Sequence, residues 1–123
     1  MLVGYLVVAA GGAIGAMARF WFAALMVAVA GPSFPWGTLI INIVGSFFIG
    51  LFASWTESNG IIHISHEMAL FTMVGICGGF TTFSSFSLQT LDLVRGKQVL
   101  RAVGYVVSSV VLCLAGVWVG VAL

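Results

Sequence analysis

The sequence contains very few charged residues, with four Lys or Arg and three Asp or Glu among its 123 residues. Charged residues make up 6% of the chain, against roughly 25% in soluble domains. Hydrophobic residues make up 62%, and the mean hydropathy is +1.24. Because this chain cannot cover a water-facing surface, we predict an integral membrane protein that lies in the lipid bilayer. The formal net charge of +1 excludes the basic surface that nucleic-acid binding requires.

The middle of the apolar segments lacks acidic residues and histidine. Glu57, Glu67 and Asp92 all fall at segment ends. A proton-coupled exporter needs a titratable carboxylate at its binding site, and a membrane enzyme needs a base, a nucleophile or a metal site. The stretch HISHE at residues 63–67 offers too few ligands for a metal site, so we interpret it as a solvated loop. We therefore expect passive conduction and no enzyme activity, with a small dual-topology multidrug-type exporter and a purely structural subunit as alternatives.

Cysteine is also scarce. Cys77 and Cys113 both lie in apolar segments, without the spacing of a zinc site or a disulfide framework. We interpret both as buried thiols.

Four apolar segments are long enough to cross a membrane, which takes about 20 helical residues. They cover residues 2–29, 36–55, 67–91 and 102–123. The connectors 30–35, 56–65 and 92–101 are short, which forces neighbouring spans to run antiparallel. The first segment lacks a basic n-region, so we interpret it as a span and not as a cleaved signal peptide. The sequence thus predicts an all-α integral membrane protein with a single four-span domain, residues 1–123.

Glycines recur four residues apart in the first and last segments. Gly11 and Gly15 form one pair, and Gly116 and Gly120 form the other. Small residues at this spacing let helix backbones approach closely, and packing is the main attraction between helices in lipid. Close packing within one chain is the simpler interpretation of both pairs. Four helices leave little room for a pore, however, so association of chains is also expected.

Polar residues form two lines inside the spans. Within each line they are four residues apart and share one helix face. The lines comprise Thr38, Asn42 and Ser46 in the second segment, and Tyr105, Ser109 and Cys113 in the last. A single Ser or Thr usually bonds to its own backbone, whereas an amide without a partner in hydrocarbon is costly. Asn42 should therefore face a partner or water, and its line predicts a hydrated track.

Arg19 is the only basic residue well inside a span. A charge at that depth is expensive and marks a functional site by default. The alternative is that the guanidinium reaches the nearer membrane surface while the stem stays in lipid. The sequence leaves these two interpretations open.

The third segment contains the stretch GGFTTFSSFS at residues 78–87. Gly78 and Gly79 weaken a helix, and Thr81 and Thr82 add β-branched stiffness, so a break with a half-helix on each side is predicted. Non-helical backbone at membrane depth is tolerated only where it is buried in protein or lines a cavity. Carbonyl groups freed there are hard oxygen ligands, which suit a small cation.

Two phenylalanines follow the predicted break. Phe83 and Phe86 are three residues apart and share a helix face. Packing is the usual role of phenylalanine in a membrane helix, but an aromatic ring also has a positive edge. Two such edges in a narrow pore can stabilise a small anion without any fixed charge.

The sequence resembles the Fluc/CrcB family of fluoride channels. The stretch GGFTTFSSFS at residues 78–87 is similar to the third-span signature of that family. GGAIGAMAR at 11–19, PWGTLIIN at 35–42 followed by Gly45, and GYVVSS at 104–109 agree in order and spacing. The resemblance covers essentially the whole chain.

This resemblance implies an antiparallel, dual-topology homodimer with two fluoride pores, each built from both subunits. It implies a structural Na+ at the dimer interface, held by the backbone carbonyls of Gly78 and Thr81. The implied function is passive export of fluoride across the inner membrane of a cell, which protects the cell from fluoride. Arg19 matches the arginine of the first-span motif.

The resemblance also implies which residues line the pore. The pore set is Phe83, Phe86, Asn42, Tyr105, Ser109 and Thr82. Thr38 and Ser46 accompany Asn42 on its helix face. The chain departs from some relatives at Cys113, where they carry a second serine, and a thiol is the weaker donor. Ser108 is an additional hydroxyl whose direction the sequence does not indicate.

The charges of the loops favour a single orientation of the chain over dual topology. Arg95, Lys97 and Arg101 lie in connector 92–101, whereas the loops on the opposite side carry no Lys or Arg. Basic short loops favour the cytoplasm, so a single chain should place this connector inside. An antiparallel homodimer needs both orientations, and we expect both because the resembling family builds each pore from inverted partners.

Overall fold

The computed structural model describes residues 1–57 and 63–123, and those residues form helices and no strands. Four stretches are long and apolar enough to cross a membrane: Leu2–Ala30, Trp36–Thr56, His66–Arg95 and Val99–Ala122. The prediction of an all-α, multi-pass membrane protein with four spans is therefore confirmed. Of the predicted connector 56–65, residues 58–62 lie outside the described residues.

The third span is assembled from several helical pieces. It comprises α3 (His66–Ala69), a π-helical stretch (Leu70–Cys77), α4 (Gly78–Phe80) and α5 (Phe83–Arg95). The other three spans are single helices: α1 (Leu2–Ala30), α2 (Trp36–Thr56) and α6 (Val99–Ala122). Between α4 and α5, Thr81 and Thr82 have extended backbone conformations, with ψ of 157° and 112°.

The predicted connector 92–101 is wrong in extent, because both flanking helices run into it. Helix α5 continues to Arg95 and α6 begins at Val99. The turn between them is a Schellman motif, in which Gln98 N–H donates to Leu93 O at 2.9 Å and Lys97 N–H donates to Val94 O at 3.0 Å. Lys97 itself takes the left-handed conformation, with φ of 60°. This compact turn uses polar residues that composition alone assigned to a loop.

The links 30–35 and 96–98 lie at the same end of the molecule, as the antiparallel arrangement predicts. Arg101 Nη1 donates to Ser33 O at 3.5 Å. Residues of both links also line one cavity of about 410 Å³. The short connectors thus place neighbouring spans side by side.

The helices pack as two close pairs, α1 with the first part of the third span and α2 with α6. Glycines make both contacts possible. A Cβ added at Gly11 would lie 2.9 Å from the Cα of Gly75, and one added at Gly116 would lie 3.1 Å from Ile43 O. The glycine pairs predicted from the sequence therefore serve close packing within one chain, because a larger side chain would push the backbones apart.

The buried core is small and lies near one end of the bundle. It consists of Leu39, Leu93, Ala102 and Tyr105, with Phe34, Ile43 and Phe86 packed against it. Much of the remaining apolar surface is exposed, including Phe20 and Trp118, each 78% exposed. Such a surface fits lipid or a second protein chain, since water would penalise it.

Candidate functional site

The interruption of the third span is held by a side chain from α2. Asn42 Nδ2 donates to Thr82 O at 3.1 Å, and Thr82 N–H donates to Asn42 Oδ1 at 2.8 Å. The amide thus replaces the helix partner of Thr82. Gly45, one turn further along α2, is buried and leaves room for the side-chain methyl of Thr81. The predicted partner for the half-buried Asn42 amide is therefore a peptide group of the third span.

The residues with extended backbone at the interruption are Thr81 and Thr82, whereas Gly78 and Gly79, which were also expected to weaken the helix there, remain helical. Gly78 is helical, with φ of −63° and ψ of −38°, and Gly79 follows within α4. A Cβ added at Gly79 would lie 3.0 Å from the Cα of Gly12. Gly79 is needed for this close approach to α1, because in lipid the helices attract one another mainly by packing.

Two carbonyl groups at the interruption lose their helical partners. Thr82 N–H, which would bond to Gly78 O in a continuous helix, goes to Asn42. Ser85 N–H, which would bond to Thr81 O, donates instead to Thr82 Oγ1 at 3.2 Å and caps α5. Gly78 is exposed in the single chain. The carbonyls of Gly78 and Thr81 are thus available as oxygen ligands.

Arg19 lies against the same interruption. Its Nε donates to Gly79 O at 3.2 Å, and the residue is half-buried. In a continuous helix this carbonyl would accept from Phe83 N–H, which here begins a new helix. Of the two interpretations left open by the sequence, the structure favours a specific role within the protein over a side chain that only reaches the surface.

The predicted phenylalanine pair lies directly after the interruption. The ring centroids of Phe83 and Phe86 are 5.4 Å apart, and those of Phe86 and Tyr105 are 5.1 Å apart. Phe83 is 77% exposed in the single chain, whereas Tyr105 is fully buried. The three rings form a row that starts at the surface and ends in the core.

Two cavities follow the polar residues of α2. Asn42 and Ser46 line a cavity of about 310 Å³ together with Cys113, Thr82 and Phe83. The buried Thr38 lines the cavity of about 410 Å³ at the end of the bundle. The polar line of α2 therefore borders cavities, although Thr38 and Asn42 face different ones, and of the polar line of α6 Cys113 lines the smaller cavity.

Two serines of α6 differ in their bonding. Ser108 Oγ donates to Gly104 O at 2.6 Å, so this hydroxyl is satisfied by its own helix. Ser109 Oγ is buried and has no hydrogen-bond partner among the described residues. A buried hydroxyl normally has a partner. The Ser109 hydroxyl therefore has a hydrogen bond left to give to a bound ion or water.

Gln89 belongs to this site and was missed in the sequence. Its Oε1 accepts a hydrogen bond of 2.9 Å from Tyr105 Oη, and the residue lines the cavity that contains Thr38. The sequence spacing could have identified it, because Gln89 follows Phe86 by three residues and shares its helix face. It accepts the hydrogen bond of the buried Tyr105 hydroxyl.

Within residues 1–57 and 63–123, no group of three or more His, Cys, Asp or Glu side chains can hold a metal ion. His63, His66 and Glu67 are exposed, and Ser65 Oγ accepts from Met68 N–H at 3.2 Å as the cap of α3.

The chain was compared with known proteins. Residues 6–121 match the family model described as CrcB-like protein, Camphor Resistance (CrcB). A protein of Rhodospirillum rubrum called fluoride-specific ion channel FluC is 56% identical over 94% of this chain and 90% of its own length. Proteins of the same name from Opitutus terrae and Methylocella silvestris are 52% and 50% identical, each over 94% of this chain and 88% of their own length.

Proposed function

The chain belongs to the CrcB family, and we propose that it is a fluoride-selective ion channel through which fluoride leaves the cytoplasm passively. The observation that carries this proposal is the match to proteins named fluoride-specific ion channels over 94% of the chain. It is a channel and not an enzyme. The inner membrane is the location that lets such a channel protect a cell from fluoride.

The row of rings beside Asn42 supports anion conduction. Fluoride is small and strongly hydrated, so a narrow pore must replace its water ligands. The positive ring edges of Phe83 and Phe86 and the unpartnered hydroxyl of Ser109 offer such replacements. None of these groups carries a charge, and weak binding at several sites is what conduction requires.

A second, inverted copy of the chain completes the proposed pore. In the single chain, Phe83 and Gly78 are exposed next to the interruption. Exposed polar backbone does not occur against lipid, so this surface needs a protein partner. An antiparallel homodimer covers it and places two copies of the interruption together.

The donor set at the interruption fits a sodium ion. Gly78 and Thr81 each offer a carbonyl oxygen without its helical partner, and two chains together offer four. Small hard cations prefer oxygen ligands. Bound there, sodium would supply positive charge that joins the two chains. In this proposal, Asn42 and Thr82 keep the carbonyl groups available.

Dual topology can be tested at the turn between α5 and α6. A Gly96→Cys variant in a background lacking Cys77 and Cys113 places a thiol at an exposed position. We expect an impermeant reagent to label about half of the molecules in intact cells. Labelling of nearly none or nearly all molecules would indicate one orientation, as the charges of Arg95, Lys97 and Arg101 favour, and would contradict the antiparallel homodimer.

Flux from liposomes tests the function directly. The purified protein is reconstituted into liposomes loaded with potassium fluoride or potassium chloride, and a potassium ionophore starts the efflux. We expect rapid release of fluoride, measured with an electrode, and far slower release of chloride. Protein-free liposomes are the control. Fluoride release that requires a proton gradient would favour an exporter, and the absence of release from folded protein would contradict the channel.

A further inference from the structure

The side-chain amide of Asn42 pairs with both backbone polar groups of Thr82. The two hydrogen bonds measure 3.1 Å and 2.8 Å and join residues 40 positions apart in sequence. A primary amide has the donor and acceptor of a peptide group. The two hydrogen bonds between Asn42 and Thr82 therefore resemble one hydrogen-bonded residue pair of a β-sheet. The assignment of Oδ1 and Nδ2 follows from the partners, because Thr82 N–H needs an acceptor and Thr82 O needs a donor.

This pairing decides where the Thr82 N–H goes. In a continuous α-helix that group would donate to Gly78 O. Without Asn42, a backbone N–H in a membrane must find another acceptor, and Gly78 O is the one that helix geometry provides. The pairing therefore keeps the Gly78 carbonyl out of a helix hydrogen bond.

The same pairing also frees the Thr81 carbonyl. Thr82 caps α5 from an extended conformation, with φ of −152° and ψ of 112°, and its Oγ1 accepts from Ser85 N–H. Extended dihedrals are typical of a residue that caps a helix N-terminus. Because the Asn42 pairing stabilises this conformation, it also diverts Ser85 N–H from Thr81 O. One side chain thus controls both carbonyl groups.

We propose that Asn42 is the positioning residue of the cation site, since it exposes the Gly78 and Thr81 carbonyls by holding Thr82 extended. This inference rests on the sodium site of the proposed function. Asn42 also lines the cavity that contains Phe83, and its Nδ2 carries a second hydrogen beyond the one given to Thr82. The residue therefore connects the carbonyl groups of the cation site with the path of the anion.

The test measures sodium binding without measuring flux. Wild type, Asn42→Leu, Asn42→Asp and Ser46→Ala are purified in N-methylglucamine chloride, and their unfolding temperatures are followed as sodium replaces that cation. A ligand that binds the folded state raises the midpoint with its concentration. Ser46→Ala is the matched control, because Ser46 lies on the same face of α2 and borders the same cavity without bonding to Thr82.

We expect wild type and Ser46→Ala to respond to sodium at the same half-saturating concentration. Asn42→Leu should need about tenfold more sodium or greater, since the Gly78 carbonyl must first leave a helix hydrogen bond. Asn42→Asp keeps the acceptor for Thr82 N–H but loses the donor to Thr82 O, so it should need less sodium than Asn42→Leu.

Three results would overturn the proposal. One is folded Asn42→Leu protein with wild-type sodium dependence. The other two need no variant, and therefore apply even when Asn42→Leu fails to fold: wild type with no sodium dependence at all, or a wild-type structure in sodium in which Thr82 N–H bonds to Gly78 O. The fluoride efflux of wild-type liposomes is measured separately, so the failure of this inference leaves the channel proposal to be decided on its own.

Discussion

The part of the third span before Thr81 and the part after Thr82 differ in what they contact. The first part packs backbone to backbone against α1, where Gly79 meets Gly12. The second part contacts α6 through side chains, with Phe86 and Gln89 against Tyr105. The first contact leaves no room for a Cβ at Gly79, whereas the second consists of rings and polar groups that border cavities. The comparison indicates that the first part is fixed by close backbone packing and the second by side-chain contacts.

The largest expected effect comes from adding a methyl group where Gly79 of the third span packs against Gly12 of α1. In Gly79→Ala the new Cβ would lie 3.0 Å from the Cα of Gly12, and backbone atoms cannot move aside as a side chain can. We expect a loss of about 1–3 kcal/mol of stability or more, seen as a lower unfolding temperature. Gly12→Ala is the matched control, because its Cβ would meet no atom within 4 Å. Equal stability of the two variants would contradict the close backbone contact between Gly79 and Gly12.

The second effect concerns the rings after the interruption. Phe83→Ile and Phe86→Ile keep an apolar side chain but remove the positive ring edge. We expect fluoride flux to fall by up to about tenfold in each variant, since an aromatic contact is worth about 0.5–1.5 kcal/mol and a tenfold change in rate about 1.4. The unfolding temperature of each variant, measured beside its flux, is the control for folding. Wild-type flux in both variants would contradict a role of the two phenylalanine rings in fluoride conduction.

A third effect, on stability, is expected at the hydrogen bond between Gln89 and Tyr105. Gln89→Leu leaves the buried Tyr105 hydroxyl without its acceptor, which should cost about 1–3 kcal/mol of stability. The double variant with Tyr105→Phe removes both partners and should be more stable than Gln89→Leu. Unfolding temperatures of the four proteins in this cycle measure the coupling. Additive losses would show that the bond contributes nothing.

The smallest effect is expected at Cys113, which faces the second part of the span across the shared cavity. Cys113→Ser replaces a weak donor by a better one without a large change in volume. We expect fluoride flux to rise by less than about tenfold, because one neutral hydrogen bond is worth about 0.5–1.5 kcal/mol. A decrease in flux would show that the thiol is not a weakened version of a hydroxyl ligand.

Periodicity and composition were sufficient for the parts of the fold that depend on local sequence. The four spans follow from apolar length, and the glycine pairs follow from spacing, because both properties act along one helix. The pairing of Phe83 and Phe86 also follows from a separation of three residues. These predictions agree with the observed helices and ring distances.

Hydrogen-bond partners that lie on different helices could not be predicted from the sequence. Thr82 leaves the helix because Asn42, 40 residues away, takes its N–H, and no local pattern shows this. Helix propensity predicted a break from Gly78 and Gly79 together with Thr81 and Thr82, but both glycines are helical, and Gly79 packs closely against Gly12 of α1. Arg19 could be assigned only when its carbonyl partner was known.

The hydrogen bonds at the interruption also have a consequence for how the protein is made. Arg19 and Asn42, which satisfy backbone groups of Gly79 and Thr82, both precede the third span in the chain. Synthesis runs from the N-terminus, so α1 and α2 leave the ribosome before the interruption does. When the third span enters the bilayer, its irregular backbone meets polar partners that are already there. The order of the residues along the chain thereby spares the new segment a period of unpaired peptide groups in lipid.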